Sequence, residues 1–139
     1  MFKKLNDSKI IYSSIFYIYN DKRKLEYLSK LNINYNNIKK LKLINKNYNV
    51  TNNEDINSIL FNLLQSFKNL EKLDLSYNKI SDIKILENFN FKELNKLDLR
   101  FNKISDINVL GKVNFKKLKE LNLSNNKISD INILEKLIL

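Results

Sequence analysis

The stretch Leu94–Ile107 reads L-N-K-L-D-L-R-F-N-K-I-S-D-I. The same frame stands 24 residues upstream as L-E-K-L-D-L-S-Y-N-K-I-S-D-I, Leu70 to Ile83. It stands again 24 residues downstream as L-K-E-L-N-L-S-N-N-K-I-S-D-I, Leu118 to Ile131. Beyond the quoted frame the columns continue through Leu86/Leu110/Leu134, Phe89/Val113/Leu137 and Phe91/Phe115/Leu139. A fixed period of this size marks supersecondary units that bury their apolar faces only by stacking on one another.

Each column has a physical reason. Leu73/Leu97/Leu121 and Leu75/Leu99/Leu123 lie two apart, which on a strand puts both on the core face. The residues between them face outward. The column Asn78/Asn102/Asn126 falls where the chain must leave the strand, and an amide there can satisfy backbone groups of neighbouring turns. Ser81-Asp82, Ser105-Asp106 and Ser129-Asp130 precede an Ile-x-x-Leu pattern and read as N-caps of a short helix or 3-10 turn.

These segments resemble the short leucine-rich repeats of internalins and of nuclear phosphatase regulators, in which N-x-I-S-D-I is characteristic. The resemblance covers about half the chain. It implies an α/β solenoid, with a short curved parallel sheet on the concave face and helices or 3-10 turns on the convex face, that binds a partner protein. The chain departs from those families by two extra residues per repeat, around Asn90-Phe91-Lys92 and Asn114-Phe115-Lys116, which predicts longer convex helices.

Upstream the pattern loosens. Ile38, Leu41 and Leu43 match the strand of a degenerate repeat, with Lys46 at the Asn position and Asn47 one residue late. Thr51-x-x-Glu54 is a capping-box pattern. Ile56, Ile59, Leu60, Leu63, Leu64 and Phe67 then recur at helical spacing, predicting an amphipathic helix. Ser8–Tyr19, with Ile11, Ile15 and Ile18, and Asp21–Leu31, with Leu25, Leu28 and Leu31, read as two further short helices. The expected organisation is an N-terminal helical cap over 1–35 and a solenoid over 36–139. The solenoid divides into a degenerate repeat, 36–69, and regular repeats at 70–93, 94–117 and 118–139. A cap shields the core of a first repeat. The competing reading of the same hairpin is an F-box-like adaptor for ubiquitin ligation; I-F-Y-I…K-L-E-Y-L resembles such segments, although their usual proline is missing. Leu134, Leu137, Ile138 and Leu139 leave an apolar C-terminal end, which keeps self-association open.

Composition narrows function. The 139 residues contain no His and no Cys, so the commonest nucleophiles, general bases and metal ligands are missing. No enzyme activity, cofactor or metal is expected. Absence of disulfides fits an intracellular, cytoplasmic setting. The net charge of +10 comes almost wholly from lysine, with Arg23 and Arg100 the only arginines. Binding to nucleic acid or another anionic surface is the alternative this raises. The lysines are scattered, however, and a Lys-, Asn- and Ile-rich chain is what an AT-rich genome encodes. Ile10–Tyr19 is too short for a membrane span.

Stacked strands align equivalent outward residues into columns, which are the candidate partner-binding surface. The columns are Lys40/Lys72/Lys96/Glu120, Lys42/Asp74/Asp98/Asn122, Ile44/Ser76/Arg100/Ser124 and Asn45/Tyr77/Phe101/Asn125. Tyr77, Phe101 and Arg100 stand out, because exposed aromatics and arginine dominate interface hot spots. Asp74 and Asp98 could suggest a carboxylate pair, but flanking Lys72 and Lys96 make mutual neutralisation the simpler role.

Overall fold

The computed structural model describes residues 15–19, 35, 38–44 and 64–137. Five strands form one parallel sheet in chain order: β1 (Ile15–Tyr19), β2 (Lys40–Ile44), β3 (Lys72–Asp74), β4 (Lys96–Asp98) and β5 (Glu120–Asn122). The register follows the repeat frame: Leu41 pairs with Leu73, Leu73 with Leu97, and Leu97 with Leu121. Pairing continues one step past each short strand, where the N–H of Leu75 donates to Asp98 O and that of Leu99 to Asn122 O, both at 2.8 Å.

Among the described residues, three 3-10 turns return the chain behind the sheet, at Lys84–Asn88, Asn108–Gly111 and Asn132–Lys136. Asp82, Asp106 and Asp130 start them. Each Oδ1 accepts the backbone N–H two residues on, at 2.8 to 2.9 Å. Capping thus falls to the Asp of each Ser-Asp pair, one residue ahead of the turn's own first flanking position. The longer convex helices expected from the extra residues are not there. The added length is instead used to bury aromatic and β-branched side chains, Phe89 and Phe91 in one repeat and Val113 in the next. Phe91 stacks on the partly buried Phe115 with ring centroids 5.9 Å apart.

The core lies between sheet and turns. Leu94, Leu97, Leu99, Ile104 and Leu110 are wholly buried. Burial depends on a following repeat: Ile83 and Ile107 are 2% exposed, whereas their equivalent Ile131 is 62% exposed. That is the nearest-neighbour logic of a solenoid, in which each unit is stabilised by the next. On the upstream side Tyr35, Ile38, Leu64 and Phe67 are buried, with Tyr35 and Phe67 in ring contact at 4.7 Å.

The helix expected over Ser8–Tyr19 is corrected: Ile15–Tyr19 is a strand, paired in parallel with β2 from Ile15↔Lys40 to Tyr19↔Ile44. I-F-Y-I-Y consists of β-branched and aromatic residues, which fit a pleated surface, and so short an apolar run carries no reliable helical period. It lies close to one repeat length before β2 and extends the ladder. A helical hairpin, whether cap or F-box-like, therefore loses its first helix at these residues. The expected helix over Asp21–Leu31, the body of the helix after Thr51, and Lys46 and Asn47 lie outside the described residues.

Candidate functional site

Between the buried leucines, β2, β3 and β4 turn Lys40, Lys42, Lys72, Asp74, Lys96 and Asp98 to the outer face of the sheet. These six line an open depression of about 280 Å³. The first two outward columns are in direct register, Lys40↔Lys72↔Lys96↔Glu120 and Lys42↔Asp74↔Asp98↔Asn122.

Charges on this face are largely paired within it. Lys42 Nζ meets Asp74 Oδ2 at 2.7 Å, and Arg100 Nε meets Asp98 Oδ2 at 3.2 Å. Lys96 pairs with Glu120, and Lys39 with Glu71 at 2.7 Å. Asp74 and Asp98 therefore each hold a cation of their own rather than facing each other as an acid–base pair. Both also hold the chain. Asp74 Oδ1 accepts the N–H and the hydroxyl of Ser76, at 3.0 and 2.6 Å, and Asp98 Oδ1 accepts the N–H of Arg100 at 3.1 Å. Asn122 repeats the arrangement with Ser124. Burial opposes the charge on Asp74, but the bonds from Lys42 and Ser76 outweigh it and keep the carboxyl below its ordinary range. This double duty was not visible in the repeat pattern, although an Asp or Asn at the last strand position, able to bond the backbone two residues on, was its available signal. It also sinks part of the expected outer surface: Ser76 and Asp98 are buried.

At the strand ends the face is apolar. Tyr77 is 58% and Phe101 42% exposed. Their rings stack at 4.4 Å and 10°, flat against each other across the repeat boundary. Their backbones are left-handed, with φ of 59° at Tyr77 and 53° at Phe101; Asn125, exposed at the next equivalent position, has φ of 55°. Asn tolerates that region, whereas a side chain with a bulky Cβ substituent is strained by about 1–2 kcal/mol there. Both residues are tied to the following repeat, since Tyr77 N–H donates to Arg100 O at 3.1 Å and Phe101 N–H to Ser124 O at 3.0 Å. Asn45, the first member of this column, lies outside the described residues.

The sheet thus places Lys72, Asp74, Lys96, Asp98, Glu120 and Asn122 in two rows and Tyr77, Phe101 and Asn125 along the edge where the strands end. Arg100 lies between them. Among the described residues no helix is long and apolar enough to cross a membrane.

A family model described as leucine-rich repeats in two copies matches residues 68–112 and again 92–136. Among solved structures, the chain is similar to an internalin (inlF) from Listeria monocytogenes at 26% identity and a TM-score of 0.46. The alignment covers 71% of this chain and 30% of that one, so the chain spans less than a third of the internalin's length. No curated protein matches the chain.

Proposed function

The chain is a leucine-rich-repeat protein, and from that premise we propose that it is a non-enzymatic scaffold which binds a partner protein on the outer, concave face of its sheet. One observation carries the reading. Two large aromatic rings stand exposed and stacked at left-handed positions, although the Asn of the following repeat meets the same backbone demand at less cost. Local strain that the surrounding structure over-determines, coupled to exposed aromatic surface, is the signature of a ligand contact rather than of a stabilising one. Arg100 extends this shelf with a guanidinium held by Asp98. Lys72, Asp74, Lys96, Glu120, Asn122 and Asn125 supply the polar surround. An intracellular, cytoplasmic setting belongs to the same proposal, since a chain without cysteine draws nothing from an oxidising compartment.

The test is a comparative capture from cell lysate, identified by mass spectrometry, followed by titration of the recovered protein. Wild type is compared with the double variant Tyr77→Asn, Phe101→Asn, which keeps the turn's backbone preference. A protein held by the first and released by the second supports the scaffold reading. Equal retention by both removes the aromatic shelf from it. Nucleic acid as the common bound species would replace the reading with bulk electrostatic binding.

A further inference from the structure

The outer face of the sheet contains a charge conflict that its own residues leave open. Among the described residues of this face, every carboxylate is held by one cation: Glu71 by Lys39, Asp74 by Lys42, Asp98 by Arg100 and Glu120 by Lys96. Lys40 and Lys72 are left over. They are register partners on adjacent strands, and Lys72 is in turn the register partner of Lys96. Three lysines therefore stand in a row at the strand spacing of about 4.8 Å. Like charges directly opposite on neighbouring strands are destabilising. Glu71 feels both Lys40 and Lys72, and Glu120 feels Lys72, but their carboxylates are bonded to Lys39 and Lys96.

The far end of the row shows how the conflict is relieved. There the register position beyond Lys96 is Glu120, and the two side chains pair. At the near end the position beyond Lys40 is Ile15, which has no carboxylate to offer. We propose that Lys40 and Lys72 receive carboxylates of a partner protein, so that an acidic segment lies across β2 and β3 as Glu120 lies beside Lys96. This deepens the scaffold reading and rests on it. Carboxylates fit better than a phosphodiester backbone for two reasons. The row contains no arginine for bidentate phosphate contact. The row's own far end is already closed by a carboxylate, Glu120 on Lys96, which is the group the near end lacks.

The experiment titrates the full chain with fluorescently labelled octaglutamate, with octaglutamine as the neutral control, by anisotropy at about 20 mM and about 150 mM salt. Lys40→Gln/Lys72→Gln is compared with Lys103→Gln/Lys127→Gln, which removes the same charge from exposed positions beyond the strand ends. The proposal expects octaglutamate to bind wild type and the Lys103/Lys127 variant within about twofold of each other. It expects a loss of about tenfold or more in the Lys40/Lys72 variant. Should that double variant fail to fold, Lys72→Gln alone carries the test. Equal loss in both double variants, or no binding of octaglutamate to wild type, overturns the proposal. So does a labelled single-stranded DNA that binds more tightly than octaglutamate and depends on the same two lysines. Octaglutamate has no apolar surface, so its binding to Tyr77→Asn/Phe101→Asn is expected to be unchanged. Failure of the lysine row and failure of the aromatic shelf are therefore read separately.

Discussion

The side-chain oxygen of Asn102 accepts the backbone N–H of Ile80 at 2.9 Å, so an amide in one repeat closes the turn of the repeat before it. The same oxygen accepts the N–H of Asn78 at 3.1 Å, and the amide nitrogen donates to Leu75 O and Leu99 O, both at 2.9 Å. One buried side chain thus ties two repeats together. Asn126 does the same for Ile104, Leu99 and Leu123, but it is only partly buried. Asn102→Ala leaves buried backbone donors and acceptors without those partners, each costing about 1–3 kcal/mol. The expected loss is about 3 kcal/mol for Asn102→Ala and about 1 kcal/mol for Asn126→Ala, where water can substitute. Urea denaturation of both variants checks the ranking; equal losses would mean that burial of the amide does not set its worth.

Replacing Tyr77 and Phe101 together by Asn removes a ring stack worth about 0.5–1.5 kcal/mol. It also relieves part of the left-handed strain at the two positions, since Asn is better tolerated there but not free of it. The two effects nearly cancel. Thermal unfolding is expected to show a stability change within about 1 kcal/mol, while capture of the partner is lost. A large destabilisation would instead assign the pair to holding the fold.

Gly111 has no left-handed backbone requirement, yet a Cβ there would come within 2.5 Å of Ile133 Cδ1 and 3.1 Å of Ile133 Cγ1. The obstruction is the tip of a flexible, partly buried side chain in the next repeat. Gly111→Ala is expected to cost about 1 kcal/mol through overpacking. Ile133→Val removes the atom in the way, so the double variant should be more stable than the sum of the two single changes predicts. Additive losses would show that the two turns do not meet.

Acid should weaken the molecule in a defined window. The carboxyls of Glu71, hydrogen-bonded by Lys39, and Glu120, hydrogen-bonded by Lys96, lie below their ordinary value of 4.5. Asp74 lies below its ordinary 3.8 despite burial. A folded-state pKa below the unfolded one adds stability that is present above the unfolded value and is lost as pH falls through the folded one. Stability should therefore be level from neutral pH to the upper limit set by these ordinary values and decline below it. Asp74→Asn keeps the oxygen that Ser76 uses and removes the titrating charge, so its decline should be shallower. An unchanged acid limb in that variant would exclude Asp74 as a contributor.

Relief of the lysine row gives a further stability reading. Because Lys72 stands opposite Lys40 and Lys96, Lys72→Gln should raise the melting temperature slightly at low salt, with the gain shrinking as salt screens the repulsion. A lowered melting temperature would show that Lys72 is satisfied within the fold.

The strand registers, the Asn ladder, the Asp caps and the core leucines of residues 70–131 were all legible in the sequence, because a period of 24 residues makes every column a repeated experiment on one environment. The charged rows were legible for the same reason: once the strands stack in register, equivalent outward residues must be neighbours. Outside the period the sequence spoke less clearly. Ile15–Tyr19 is too short for its apolar pattern to separate strand from helix, and only the open edge of β2, with backbone groups to pair, decided it. The backbone of Tyr77 and Phe101 was likewise beyond pattern reading, since aromatic residues do not ordinarily signal a left-handed turn. The turn that leaves each strand requires it, as the same φ at Asn125 shows, and at Tyr77 and Phe101 hydrogen bonds to the next repeat hold it in place. By itself, the sequence determined which residues stack. The assembled ladder alone decided which of them are buried under a neighbour, which carboxylates find a cation, and which rings and lysines are left facing out.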